Sequence, residues 1–168
     1  MPVRAVDDGA MRHRNGIREL DRHECLRRLP SVPIGRIVYT HRALPAVLPV
    51  NFSLDDDFAV VIRTAGTSRF ARAVDGVVVA FEADAFDTHR HCGWSVVVTG
   101  RAFIVTDPVE QERLRRTGPT SWAPTPDDMF VRIEAELVSG REIYPLEPPR
   151  EGARERLEGG NPLTPSRL

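Results

Sequence analysis

A short polar segment contains the residues best suited to bind a phosphate. Arg63 and Thr64 end an apolar stretch, and a glycine, two hydroxyl residues and Arg69 follow within five positions. Guanidinium groups, hydroxyls and the backbone amides at the start of a helix are the groups that a phosphate prefers. Residues 63–69 should therefore hold the phosphate of a bound cofactor.

The sequence lacks the signatures of catalysis by protein side chains alone. It has no Gly-x-Ser-x-Gly, His-Glu-x-x-His, Walker or Gly-x-Gly-x-x-Gly motif. All 23 Lys and Arg positions are arginine, which excludes Schiff-base chemistry on a lysine of this chain. An enzyme built from this chain would carry its chemistry on a cofactor, and no residue is identified as a catalytic acid or base.

A metal site is a weaker interpretation of the polar segment 87–92. Asp87, His89, His91 and Cys92 are possible ligands, but their spacing fits no zinc motif. The sequence also offers no second Cys or His pair to complete a tetrahedron. We interpret the segment as a solvated loop and predict no metal.

The composition of the chain argues against nucleic acid and membranes as partners. The 168 residues carry a net charge of -1, so no global basic field would recruit nucleic acid. No apolar run approaches the roughly 20 residues that a membrane span needs, and the N-terminus lacks the apolar core of a signal peptide. The two cysteines suggest no disulfide framework. We expect a cytoplasmic protein without a membrane partner.

The chemistry-bearing residues must be positioned mainly by strands. Residues 129–137 alternate apolar and polar side chains, and residues 77–81 form an apolar run typical of a strand buried on both faces. Pro45 and Pro49 interrupt residues 44–52, which favours an edge strand with unpaired backbone near Val50 and Asn51. Gly100 suggests a bend within a long strand over residues 93–106.

About six strands without βαβ alternation predict a mainly β fold, a six-stranded antiparallel split β-barrel with two or three short helices. We expect a mobile N-terminal arm over residues 1–18, the barrel domain over residues 19–144, and a disordered or wrapping C-terminal tail over residues 145–168.

The segments 34–38, 44–52, 62–70, 79–84 and 93–102 resemble those of the pyridoxamine 5'-phosphate oxidase-like family, the FMN-binding split β-barrels. The resemblance covers residues 24–142 and is strongest to the flavin-binding branch with nitroimidazole-reductase-like proteins. It implies a homodimer with two FMN molecules between the subunits.

The resemblance also implies a set of cofactor-binding residues. Val50, Asn51 and Phe52 would line the isoalloxazine, mostly through backbone groups. The phosphate and ribityl chain would be held by Arg63, Thr64, Ser68 and Arg69. The flavin or its dimer rim would be contacted by Gly93, Trp94 and Ser95.

The implied function is that of a flavin-dependent oxidoreductase acting on an unknown small molecule. Phe70 replaces a second cation of the biosynthetic oxidases, and their C-terminal Arg-Leu-His-x-Arg pattern is absent, which argues against a pyridoxine-phosphate substrate. The alternatives are a deazaflavin-coenzyme-dependent reductase and a non-catalytic flavin- or haem-binding module.

The residues themselves also suggest a dimer. Trp94, Val96 and Val98 share one face of their strand, and we expect one barrel interior to be too small to cover both this face and residues 77–81.

Overall fold

A computed structural model describes residues 16–122 and 127–145 of the chain. Within these residues, strands dominate and three short α-helices connect or cover them. The strands are β1 (Ile17–Leu20), β2 (Ile34–His41), β3 (Leu44–Leu54), β4 (Val60–Ala65), β5 (Val78–Asp87), β6 (Cys92–Ile104), β7 (Asp128–Ile133) and β8 (Leu137–Ile143). The helices are α1 (Arg22–Arg28), α2 (Arg69–Val74) and α3 (Pro108–Thr117), and a 3₁₀ turn (Leu29–Ser31) follows α1.

Six of the strands close into an antiparallel barrel. Their order is β6-β5-β2-β3-β4-β7, and pairing between β7 and β6 completes the ring. β8 pairs with the first half of β6, and β1 pairs with β8, so these two strands extend the sheet beyond the barrel. The predicted fold class, a six-stranded antiparallel barrel with a few short helices, is confirmed.

Gly100 marks the point at which β6 changes its partner. Thr99 pairs with Leu137 of β8, whereas Ala102 pairs with Ile133 of β7. A β-carbon on Gly100 would collide with the carbonyl oxygen of Glu134, in the connection between those two strands. The bend predicted here is therefore a crossing of two backbones that only glycine permits.

The barrel interior forms the main core. Phe81 and Ile37 are fully buried, and the ring of Phe52 packs against that of Phe81 with centroids 4.6 Å apart. A second cluster, made of Val61, Val105, Leu114 and Phe130, lies beneath α3. The barrel thus fixes β3 and β4 from inside, and α3 is anchored on the outside of β4 and β7.

Three predictions from the sequence need correction. β5 is not buried on both faces, because Val78 is 52% exposed while Val79 and Phe81 are buried. The Trp94 face of β6 lies inside the barrel of a single chain, so the dimer argument based on that face is wrong. The predicted N-terminal arm overlaps β1 at Ile17 and Arg18.

The remainder of that arm, and the predicted tail after Pro145, lie outside the described residues. None of the three α-helices in the described part of the chain has the length and apolar character of a membrane span.

Candidate cofactor cleft between β3 and β4

A cleft opens where β3 and β4 diverge. The two strands pair only from Phe52–Leu54 to Val60–Ile62. Before that segment β3 continues along β2, and beyond it β4 continues along β7. The divergence creates a cleft of about 610 Å³, lined by Ile34, Leu48, Pro49, Val50, Asn51, Arg63, Thr64, Ala65, Ser121 and Trp122.

The β3 wall of the cleft offers unpaired backbone groups. Val50 and Asn51 pair with β2 on one side and with no strand of the described residues on the other. The Phe52 amide donates to the Pro33 carbonyl on the β2 side, at 3.4 Å. Because backbone groups alternate sides along a strand, the Asn51 N–H and C=O point away from β2, toward the cleft.

The prolines of β3 follow the same alternation. Pro45 and Pro49 lie six and two residues before Asn51, so their backbone nitrogens face the same unpaired side of β3 as the Asn51 N–H. The two prolines therefore remove no hydrogen bond from the ladder between β3 and β2. They also make it unfavourable for a further strand to pair at this edge of β3. The predicted edge strand is confirmed.

The β4 wall carries a guanidinium held by a carboxylate. Arg63 Nε donates to Asp128 Oδ2 at 2.8 Å, and Arg63 Nη2 makes a second, shorter contact with the same oxygen. The guanidinium also lies 5.8 Å from the ring centroid of Phe130. The Arg63 side chain is 21% exposed and that of Asp128 is 9% exposed, so the pair is shielded from most solvent. The orientation of Arg63 is therefore fixed by β7.

Ser68 and Arg69 lie just beyond the cleft and do not line it. Ser68 is the N-cap of α2, and its hydroxyl accepts a hydrogen bond from the Ala71 amide at 3.4 Å. Arg69 is exposed, and its guanidinium makes no ion pair with any described residue. Of these two side chains, only that of Arg69 is uncommitted in the fold.

The remaining predicted site residues, Phe52 and residues 93–95, do not have side chains in the cleft of the same chain. Phe52 and Trp94 point into the core and are 7% and 8% exposed. Gly93, Trp94 and Ser95 lie on β6, and strands β5 and β2 stand between β6 and β3. The structure thus brings together Val50, Asn51, Arg63 and Thr64, and leaves residues 93–95 elsewhere on the sheet.

Sequence reasoning missed two features of the cleft. Trp122 is 69% exposed and lines the cleft with Ser121, although it lies almost 60 positions from Arg63. Asp128 reaches Arg63 only because Ala65 of β4 pairs with Asp128 of β7. A lone tryptophan in a proline-rich stretch is the sequence feature that could have indicated Trp122. No feature near Asp128 in the sequence indicates its contact with Arg63.

The cleft has the chemistry of a binding site. None of its ten lining side chains is a carboxylate, histidine or cysteine, so none could transfer protons near neutral pH. Redox or group-transfer chemistry in this cleft would have to come from a bound cofactor.

The other clusters in the described residues show no comparable arrangement. A second cleft, lined by Asp55, Asp56, Asp57 and Glu110 among others, is crossed by ion pairs from Arg113 and Arg132. In the segment 87–92, the Asp87 carboxylate accepts backbone hydrogen bonds from His89 and Arg90. No group of three His, Cys, Asp or Glu side chains in the described ranges is placed to hold a metal ion.

Comparison with known proteins gives a consistent set of relatives. The family profile described as Pyridoxamine 5'-phosphate oxidase matches residues 21–142. The chain is 46% identical over 130 residues to the uncharacterised protein Rv0080 of Mycobacterium tuberculosis, covering 74% of this chain and 84% of that protein.

Two solved structures resemble the fold closely. One is a FAD-binding protein from Mycobacterium smegmatis, with a TM-score of 0.67 and 32% identity over 76% of this chain and 98% of that one. The other is a FAD-binding protein from Mesorhizobium loti, with a TM-score of 0.63 and 25% identity over 75% and 97% of the two chains.

Proposed function

Because the chain belongs to the pyridoxamine 5'-phosphate oxidase family, we propose that the cleft between β3 and β4 binds a flavin nucleotide. The observation that carries this proposal is the unpaired rim of β3 at Asn51, which faces Arg63 and Thr64 across the cleft. We further propose that the protein is a flavin-dependent oxidoreductase acting on a small molecule.

The residues of the cleft fit the parts of a flavin. The isoalloxazine ring has an apolar face and a polar edge with alternating donors and acceptors. Leu48 and Val50 provide an apolar wall, and the Asn51 N–H and C=O provide one donor and one acceptor at its edge. A planar ligand could therefore occupy the position of the missing neighbouring strand.

The polar end of the cleft fits a ribityl phosphate. Asp128 occupies Nε and Nη2 of Arg63 and leaves its Nη1 group without a partner among the described residues. Thr64 also lines the cleft, and Arg69, five positions after Thr64, is an exposed cation. Charge-assisted hydrogen bonds from such groups are the strongest that a phosphate can receive.

A bound flavin supplies electron-transfer chemistry that the side chains of this protein lack. The protein's own contribution is positional. The β3 rim would fix the ring edge, the barrel wall would exclude water from one ring face, and Arg63 would hold the phosphate end. Asp128 would keep Arg63 in the orientation that this role requires.

The charge of the cleft favours a flavin nucleotide over a deazaflavin coenzyme. Arg63 is the one cation among its ten lining residues, and Asp128 already neutralises it. An acidic deazaflavin tail would call for several cations along a groove. FMN is the flavin nucleotide that the family resemblance implies, and the two FAD-binding relatives make FAD the first alternative to test.

A homodimer is the second part of the proposal. On the outer face of the sheet, Val47, Val38, Ala80, Thr99 and Leu137 form one row across five strands. Val47 is 60% exposed and Leu137 is 65% exposed at its two ends. A second copy of the chain could cover this row. It could also bring its own residues 93–95 to the flavin, which one chain does not do.

The visible absorption spectrum of the purified protein is the first test, because it separates flavin, deazaflavin and haem directly. Titration of the cofactor-free protein with FMN, FAD and riboflavin should then give dissociation constants at or below tens of micromolar for a flavin nucleotide. Binding of a deazaflavin alone, or of no flavin at all, would overturn the proposal.

Catalysis needs its own measurement. The protein-bound flavin is reduced chemically, and its reoxidation by small electron acceptors is followed by stopped flow. An oxidoreductase should react with at least one acceptor class faster than free flavin does. Uniformly slower reaction than free flavin would identify a binding module instead.

A further inference from the structure

We propose that Trp122 binds the ring system of the ligand in the cleft, by packing its indole against a planar aromatic group. This inference rests on the proposed function and assigns a ring-contacting residue from the segment that follows α3. The observation behind it is that Trp122 lines the cleft while remaining 69% exposed. A tryptophan is a large apolar group, and burying it against a ligand is strongly favourable.

The segment that leads from α3 to Trp122, residues 118–122, is anchored to the fold at its start. The Gly118 amide donates to the Leu114 carbonyl at 2.8 Å and ends α3. Leu114 is 2% exposed and packs in the second core cluster with Val61 and Phe130. Pro119 is buried as well. The chain therefore leaves α3 from an anchored point, and Trp122 follows three residues after Pro119.

The two walls of the cleft complement each other for a flat ligand. Leu48 is 37% exposed on the β3 side, and it lines the cleft together with Pro49 and Val50. Trp122 and Ser121 come from the α3 side. An apolar strand wall facing an indole would enclose both faces of an aromatic ring. Arg63 and Thr64 line the same cleft and favour a ring that carries an anionic or hydroxylated tail.

The role predicts a distinct pattern of binding losses. A ring contact contributes equally to every ligand that contains the ring, so Trp122→Ala should weaken FMN and riboflavin by the same factor. Stacking of a base on an aromatic side chain typically changes affinity by about five- to a hundredfold. Trp122→Phe retains an aromatic ring and should recover most of the affinity.

The experiment compares the unaltered protein, Trp122→Ala and Trp122→Phe with Val109→Ala, a control that removes another highly exposed apolar side chain, on α3. FMN and riboflavin are titrated against each, and flavin fluorescence is recorded at saturation. We expect equal losses of both ligands in Trp122→Ala, and brighter bound flavin because indole contact quenches the ring. Val109→Ala should behave like the unaltered protein.

Each other outcome decides against the role. Unchanged affinity and unchanged flavin fluorescence in Trp122→Ala would overturn it while leaving the proposed function intact. Loss of dimerisation in sedimentation, with unchanged affinity per dimer, would make Trp122 an interface residue instead. Absence of flavin binding by the unaltered protein would overturn the proposed function and the ring contact with it.

Discussion

Arg63 and Asp128, which lie 65 positions apart in the sequence, form an ion pair across the β4–β7 ladder at the edge of the cleft. The pair is shielded, with 21% and 9% of its side chains exposed. Removing one partner of a shielded pair leaves the other charge without compensation. The pair therefore links the stability of the barrel to the position of the one cationic side chain that lines the cleft.

Asp128→Asn should lower the free energy of unfolding by about 1–3 kcal/mol, because Arg63 loses a charged hydrogen-bond acceptor. Urea denaturation at pH 7 measures the change. Asp56→Asn is the matched control, since that carboxylate is 98% exposed and pairs with Arg113 at 3.6 Å. The control should change stability by less than about 0.5 kcal/mol. Equal effects of the two variants would contradict the structural role of Asp128.

Arg69→Ala should weaken FMN about ten- to a hundredfold, since one or two charge-assisted hydrogen bonds to the phosphate are lost. Riboflavin lacks the phosphate and should bind the variant and the unaltered protein equally. Arg72→Ala is the control on the same helix, because Arg72 is exposed and, among the described residues, donates to the Thr67 carbonyl alone, at 3.4 Å. Equal loss of FMN and riboflavin would show that Arg69 acts through folding.

Glu142 should make the protein sensitive to acid. It accepts hydrogen bonds from Arg18 at 2.8 Å and from Arg28 at 2.6 Å, and thereby ties β8 to β1 and α1. Burial alone would raise the pKa of Glu142, but the hydrogen bonds from Tyr144 and Arg18 outweigh burial and lower it. A carboxyl group whose pKa is lowered by folding stabilises the fold fully when the pH is above the ordinary carboxyl pKa. This stabilisation is lost as the pH falls through the lowered pKa.

Glu142→Gln should therefore lower the free energy of unfolding by about 1–3 kcal/mol at pH 7. Its difference from the unaltered protein should shrink as the pH falls below the ordinary carboxyl pKa of about 4.5. Glu112→Gln serves as control, because Glu112 pairs within α3 and is 51% exposed. A difference for Glu142→Gln that stays constant from pH 7 to pH 3 would refute the linkage.

Gly100→Ala should destabilise the barrel by about 3 kcal/mol, because the added β-carbon meets the backbone of Glu134, which cannot rotate away. Gly76→Ala is an informative comparison. Gly76 has open space around it but a φ of +71°, so an alanine there should cost only about 1 kcal/mol. Thermal or urea denaturation of both variants compares the cost of a steric collision at Gly100 with the cost of an unfavourable backbone conformation at Gly76. A smaller loss of stability in Gly100→Ala than in Gly76→Ala would contradict the collision.

The sequence predicts the barrel well because its signals are local. The prolines of β3 and Gly100 each report a local property of the strand that contains them. The alternation in residues 129–137 predicts a single strand, but β7 ends at Ile133 and β8 begins at Leu137, because the connection between them crosses Gly100 at Glu134. The sequence does not predict β1, because Ile17–Leu20 has only four residues, two of them charged, and its pairing depends on contacts such as Arg18 to Glu142, 124 positions away. Such pairings depend on register, which alternation does not specify.

The residues of the cleft also differ in whether local sequence could indicate them. Val50, Asn51, Arg63 and Thr64 come from two consecutive strands, so a sequence motif could indicate them. Asp128 and Trp122 come from β7 and from the segment after α3, and only the closed barrel brings them to β4. The side chains of Phe52 and Trp94 point into the core, because strand alternation in the closed barrel gives them the inward positions.

The last prediction couples flavin binding to dimerisation. Val47→Glu places a charge at one end of the outer-face row that runs from Val47 to Leu137, where a second copy would have to bury it. We expect sedimentation at micromolar concentration to show a monomer, and FMN affinity to fall at least about tenfold because the partner's residues no longer reach the flavin. Val109→Glu, at an apolar residue of α3 that is 78% exposed, should leave both unchanged. A Val47→Glu variant that is monomeric but binds FMN normally would show that one chain forms the complete site.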